Sequence, residues 1–120
     1  MDQTLTVWEA RGAQFALDLQ DVETAKRYED AFAAMAEEEQ AGSADKLSDA
    51  LRLQCGMIRP LFDRLLGDGA SEKRFGKREN LGEMMEAYED FLSFVQRQTE
   101  AALERRQKLF ERFSASRARR

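Results

Sequence analysis

The chain has 120 residues, 42% of them hydrophobic and 35% charged, with a formal net charge of −4. The charged share exceeds the usual ~25% of a soluble domain, but the apolar share suffices for one domain with a modest core and excludes wholesale disorder. There is no His and a single Cys, Cys55, which excludes an internal disulfide, zinc sites of the usual His/Cys kind and catalytic triads built on His.

From the N-terminus, Leu5 and Val7 alternate with Thr4, Thr6 and Trp8. After Arg11-Gly12, Phe15, Leu17 and Leu19 alternate with Ala16, Asp18 and Gln20. A period of two on both sides of a turn predicts a β-hairpin over residues 4–20. The turn is neither Asn-Gly nor Asp-Gly, so its register stays open. A lone hairpin is marginal in water, so it must lie on helices or pair with another chain.

Asp21 reads as an N-cap, followed by a helix whose Ala25, Tyr28, Phe32 and Met35 share one face. Glu37-Glu38-Glu39 oppose the macrodipole at its end and predict fraying there. Ala41-Gly42-Ser43 is the break. A second helix starts between Ser43 and Leu47. Leu47, Leu51, Gln54/Cys55, Ile58, Leu61/Phe62 and Leu65 form its stripe. Gly56 and Pro60 predict a kink or break near residues 56–60. Cys55, beside that stripe, reads as a small buried hydrophobe.

Residues 67–80, GDGASEKRFGKREN, form a glycine-rich loop around one helical turn. Ser71 is its plausible cap, and Phe75 pins it to the core. The phosphate-loop patterns fail here: no Gly-Lys-Ser/Thr follows a strand, and no Gly-x-Gly-x-x-Gly opens a helix.

Asn80-Leu81-Gly82-Glu83 resembles a capping box and opens the longest helix, predicted to reach Phe113. Leu81, Met85, Tyr88, Leu92, Val95, Thr99, Ala102, Arg106, Leu109 and Phe113 alternate steps of four and three, a heptad seam. Met84 and Phe91 widen it in the first half. Gln98, Arg105 and Arg112 hold the matching positions in the second. A wide stripe suits a core and a narrow one a partner helix, so residues 81–96 belong to the body and 97–113 project or meet another helix. A helix of ~33 residues spans about 50 Å, against roughly 35 Å for a compact 120-residue domain. The expected fold is therefore mostly α with a small N-terminal β-hairpin. Residues 1–113 form one domain with three main helices, the last one long. Residues 114–120 are read as a disordered basic tail.

Charge is uneven. Residues 1–45 carry −8, residues 46–96 −1 and residues 97–120 +5. The basic end could be a solvated helix end, a contact with protein (including the acidic end of a neighbouring copy) or a nucleic-acid contact through Ser116-Arg117-Ala118-Arg119-Arg120. No stretch is apolar enough to span a membrane, and no signal pattern opens the chain, so a cytoplasmic location is expected. Glu86, Glu89 and Asp90 are the carboxylates grouped on a helix, yet no pair is set apart for acid–base work. No enzyme activity, cofactor or metal is expected.

The segments FALDLQDVETAKRYEDAF and LFDRLLGDGASEKRFGKRENLGEMMEAYEDFLSFVQRQ resemble a family of small prophage proteins, which look like the tail assembly chaperones of long-tailed phages. The motifs are Arg27-Tyr28-Glu29, Gly67-Asp68-Gly69-Ala70-Ser71, Phe75-Gly76, Asn80-Leu81 and Glu86-Ala87-Tyr88-Glu89-Asp90-Phe91. They lie within residues 15–98, and the Arg-rich residues 105–120 depart from the family pattern. The resemblance implies a protein that coats the apolar, helical tape-measure protein in the bacterial host cytoplasm until tail-tube subunits displace it. Leu109, Phe110 and Phe113 are the expected client contacts, with Arg105, Arg106 and Arg112 as rim charges. The same surface would serve self-association. A structural homo-oligomeric adaptor without a client, and a nucleic-acid binder using the basic C-terminus, are the competing expectations.

Overall fold

A computed structural model of the chain describes residues 6–118, with side chains described as far as residue 115. Strands β1 (Val7–Ala10) and β2 (Ala13–Ala16) form an antiparallel hairpin. Helices α1 (Val22–Ala41), α2 (Leu47–Leu66), α3 (Ala70–Phe75) and α4 (Leu81–Ala118) follow. The fold is mostly helical with an N-terminal hairpin, as expected, and three of the four helices are long. Thr4 and Leu5 of the expected first strand lie outside the described residues.

The hairpin closes through Arg11 (φ 49°) and Gly12 (φ 82°). Positive φ at both central residues is the geometry of a two-residue type I′ turn. It fixes the register, with Trp8 opposite Phe15 and Ala10 opposite Ala13. Side chains on opposed positions share a face, so burial of Phe15 carries Trp8 inward with it. The inward side of β1 is thus Trp8 and Ala10, while Val7 is only half-buried. This corrects the alternation that set Leu5 and Val7 against Trp8. The turn, rather than the local hydrophobic pattern, selects the face.

Trp8 is the centre of the core. It stacks on Phe62 of α2 at 5.6 Å and meets Phe91 of α4 edge-on at 5.3 Å. Phe15 lies 5.6 Å away. Its indole N–H donates to Asp90 Oδ2 at 2.8 Å, so the one polar atom of the ring is satisfied at the rim. The hairpin therefore lies on α2 and α4 of its own chain, with β2 against α3.

The caps of α1 and α4 are those the sequence predicts. Asp21 Oδ2 accepts from Thr24 N at 3.2 Å, and Asn80 Oδ1 from Glu83 N at 3.0 Å. The end of α1 is helical through Ala41, past the three glutamates. Its ladder runs to Gly42 N, which donates to Glu38 O, and Arg64 of α2 donates to Glu38 Oε1 at 2.9 Å. Helix α2 does not break: it is helical from Leu47–Leu66 with Pro60 inside. A proline crowds, and leaves unbonded, the carbonyl four residues earlier. Here that residue is Gly56, which is exposed, so solvent reaches the freed carbonyl.

Ser71 is not the cap of α3. Gly69 (φ 84°) is the N-cap, and Ser71 is buried at the second position of the helix. Its N–H and Oγ donate to the two carboxylate oxygens of Asp63, at 2.8 and 3.0 Å. A carboxylate from the neighbouring helix supplies the acceptor that a local cap would have supplied. Helix α4 also outruns its expected end at Phe113 and reaches Ala118. Ser114 to Ala118 contain neither Gly nor Pro to stop a helix. That places 114–118 of the expected tail in the helix, and Arg119 and Arg120 outside the described residues.

Candidate interaction surface

The buried side of α4 is Met84, Ala87, Phe91, Phe94, Val95 and Gln98. Met84, Ala87, Phe91, Phe94 and Gln98 step by three and four like the predicted seam, with Val95 of that seam buried beside them, but the stripe is turned toward Met84 and Phe91, the positions read as its flank. Met85 and Leu92 of the predicted seam are exposed at 39% and 38%. Two stripes one residue apart differ by about 100° of rotation. The aromatic contacts of Phe91 with Trp8 and Phe62 select between them.

Gln98 is where the body ends. Its Nε2 donates to Leu17 O at 2.8 Å, and its Oε1 accepts from Leu19 N at 2.6 Å. One buried amide thus ties the strand exit after β2 to α4. Among the described residues no side chain beyond Gln98 is buried. Residues 99–118 cover about 30 Å of helix axis. The molecule accordingly measures 70 × 32 × 21 Å, with a radius of gyration of 18.3 Å. A compact chain of this length would have about 14 Å.

This overhang brings the six predicted contact residues together. Leu109, Phe110 and Phe113 are exposed at 55%, 70% and 62%, and Leu103 at 57%. At about 100° per residue, Leu103, Arg106, Leu109, Phe110 and Phe113 lie on one face. Arg105 and Arg112 flank it on one side. The opposite face carries a local ladder, Lys108 Nζ to Glu104 Oε1 at 3.1 Å and Gln107 Nε2 to Glu111 Oε1 at 3.4 Å. Such pairs stabilise an isolated helix by only ~0.2–0.5 kcal/mol each. They help the overhang stay helical and leave its apolar face open.

The motif residues Tyr28, Phe75 and Phe91 make packing contacts, and Gly67, Gly69 and Gly76 shape turns. Tyr28 packs on Phe32 at 4.6 Å, and Phe32 on Tyr88 at 6.4 Å. Burial pushes both tyrosine hydroxyls above their ordinary pKa, for Tyr88 with Tyr28 and Glu39 adding to it. Gly67, Gly69 and Gly76 all have positive φ, which frames α3 between two tight turns. Phe75 packs on Phe62 at 5.6 Å and so anchors the loop as expected. Arg59 Nη2 donates to Gly76 O and Arg78 O at 2.9 and 2.8 Å. Phe91 is fully buried. Cys55 is buried in the core, and burial, then Glu79, raises its thiol pKa while Arg59 lowers it. Among the described residues no three His, Cys, Asp or Glu side chains are grouped to hold a metal. No described helix is long and apolar enough to cross a membrane.

One surface feature escaped the sequence reading. Between the end of α1, the middle of α2 and the start of α4 lies an open cleft of about 490 Å³. Met35, Leu53, Met57, Met85 and Tyr88 line it, with Glu39 at its edge. It continues into a second cleft of about 550 Å³ that shares Leu53 and Met57 and is bordered by Glu38, Asp49 and Arg52. Leu53 and Met57 are four residues apart, on a second apolar line of α2 outside its predicted stripe. That spacing was the available signal.

The chain matches, over residues 11–120, a protein family described as a family of unknown function (DUF6673). The match takes in β2 and all four helices, and the chain belongs to that family. No curated protein and no solved structure matches it.

Proposed function

We propose that this family member is a non-enzymatic binding protein of the tail-assembly-chaperone type. In this reading it holds the helical tape-measure protein of a long-tailed phage soluble in the host cytoplasm until tail-tube subunits take its place. One observation supports the reading above others: the half of α4 beyond Gln98, where Leu103, Leu109, Phe110 and Phe113 stand exposed beside Arg105, Arg106 and Arg112. An exposed apolar line on a preformed helix is half of a helix–helix contact. Few anchors with a charged rim make a contact that is specific yet releasable, as a coat that must later leave requires. The resemblance of residues 15–98 to small prophage proteins supplies the client class.

The test is co-expression with the tape-measure protein encoded in the same genome. The proposal expects that protein to be soluble only in company, and light scattering to find both in one particle. It also expects Phe110→Glu to abolish the joint particle while leaving the circular dichroism of the chain unchanged. A defined homo-oligomer that ignores the tape-measure protein would overturn it in favour of a structural adaptor.

A further inference from the structure

Two exposed surfaces of this molecule are complementary. The overhang is apolar along one face and basic. Between Thr99 and Ala118 it carries five Arg or Lys against three Glu. The cleft between α1, α2 and α4 is apolar and edged by acids. Met35, Leu53, Met57 and Met85 line it, and Glu38, Glu39 and Asp49 border it, with Arg64 on Glu38 and Arg52 on Asp49. Helix α1 carries six Asp or Glu against two Lys or Arg. Methionine thioethers are flexible and polarizable, and a cleft lined by them adapts to the side chains of an inserted helix.

The overhang cannot reach the cleft of its own chain. Met85 of the cleft and Leu103 of the overhang are on the same unbroken helix, about 27 Å apart along its axis. Only a second copy can bring the two together. We infer that the overhanging half of α4 of one copy seats in the methionine-lined cleft of another, so that copies join head to tail. Leu103, Phe110 and Phe113 would enter the cleft, and Arg105, Arg106 and Arg112 would face the acids of α1. Each copy carries both a donor and an acceptor surface, so the contact propagates until it closes as a ring or continues as a filament. No client is needed for this assembly. A client helix that takes the same overhang would compete with the neighbouring cleft, which would couple client loading to disassembly.

The experiment uses the chain alone, so its outcome is separable from that of the client test. Leu53→Lys puts a like charge in the cleft at an exposed helical position. Phe110→Glu puts one of the wrong sign on the overhang. Circular dichroism checks that both variants remain folded. Light scattering of the wild-type chain should give a mass that rises with concentration and falls with added salt. Each variant alone should be a monomer of about 13.8 kDa. Their equimolar mixture should form a particle of twice that mass and no larger, because one intact overhang then meets one intact cleft. A wild-type chain that stays monomeric, a Leu53→Lys variant that assembles like wild type, or a mixture that stays monomeric would each overturn head-to-tail contact.

Discussion

Gln98 shows how much one side chain settles in this molecule. It sits on the same side of α4 as Phe91 and Phe94, yet it is polar, and it is 3% exposed. Its amide donates to Leu17 O and accepts from Leu19 N, two backbone groups just past the end of β2. A buried backbone group stripped of its partner costs about 1–3 kcal/mol. Gln98→Ala strips two. We expect it to destabilise the domain by about 2–4 kcal/mol, read as a lower midpoint in urea with an unchanged slope. A loss below about 1 kcal/mol would mean that water takes over both bonds and that the hairpin is not latched there. The residue was visible in the sequence only as a polar interruption of a stripe. Its role depends on a backbone segment some 80 positions away, which no local pattern reveals.

At the scale of elements, what could be read in advance was local. Asp21 and Asn80 cap because their side chains reach amides three residues on. The hairpin declared itself by its period of two. The rotational setting of α4 did not, because stripes through Met84 and through Met85 have the same spacing, and Trp8 and Phe62 decide between them. Ser71 was misread for a similar reason: its partner, Asp63, lies on another helix. Helix α2 offers a quantitative check. Gly56 is exposed, and a Cβ built there meets nothing within 4 Å. Gly56→Ala should therefore stabilise the domain by about 0.5–1 kcal/mol through helix propensity alone. A destabilised variant would show instead that the bare backbone at Gly56 is what lets the helix pass Pro60.

At the scale of the whole molecule, body and overhang have different energetics. Residues 81–98 of α4 are held by an aromatic core, whereas residues 99–118 are held by helix propensity and a few surface pairs. A helical stretch of that kind is marginal in water without packing. The six contact residues named from the sequence do stand together on this stretch, because helical spacing is a local property. The cleft between α1, α2 and α4 was not legible, since it arises from the placement of three helices relative to one another. The most direct measurement is amide hydrogen exchange along α4, for the dilute chain and for the chain bound to the proposed tape-measure client. The account predicts slow exchange over residues 84–98 in both states. Over residues 99–115 it predicts exchange that is fast in the dilute chain and slowed at least tenfold in the complex. Residues 99–115 that exchange equally fast in both states, with protection gained elsewhere, would contradict it.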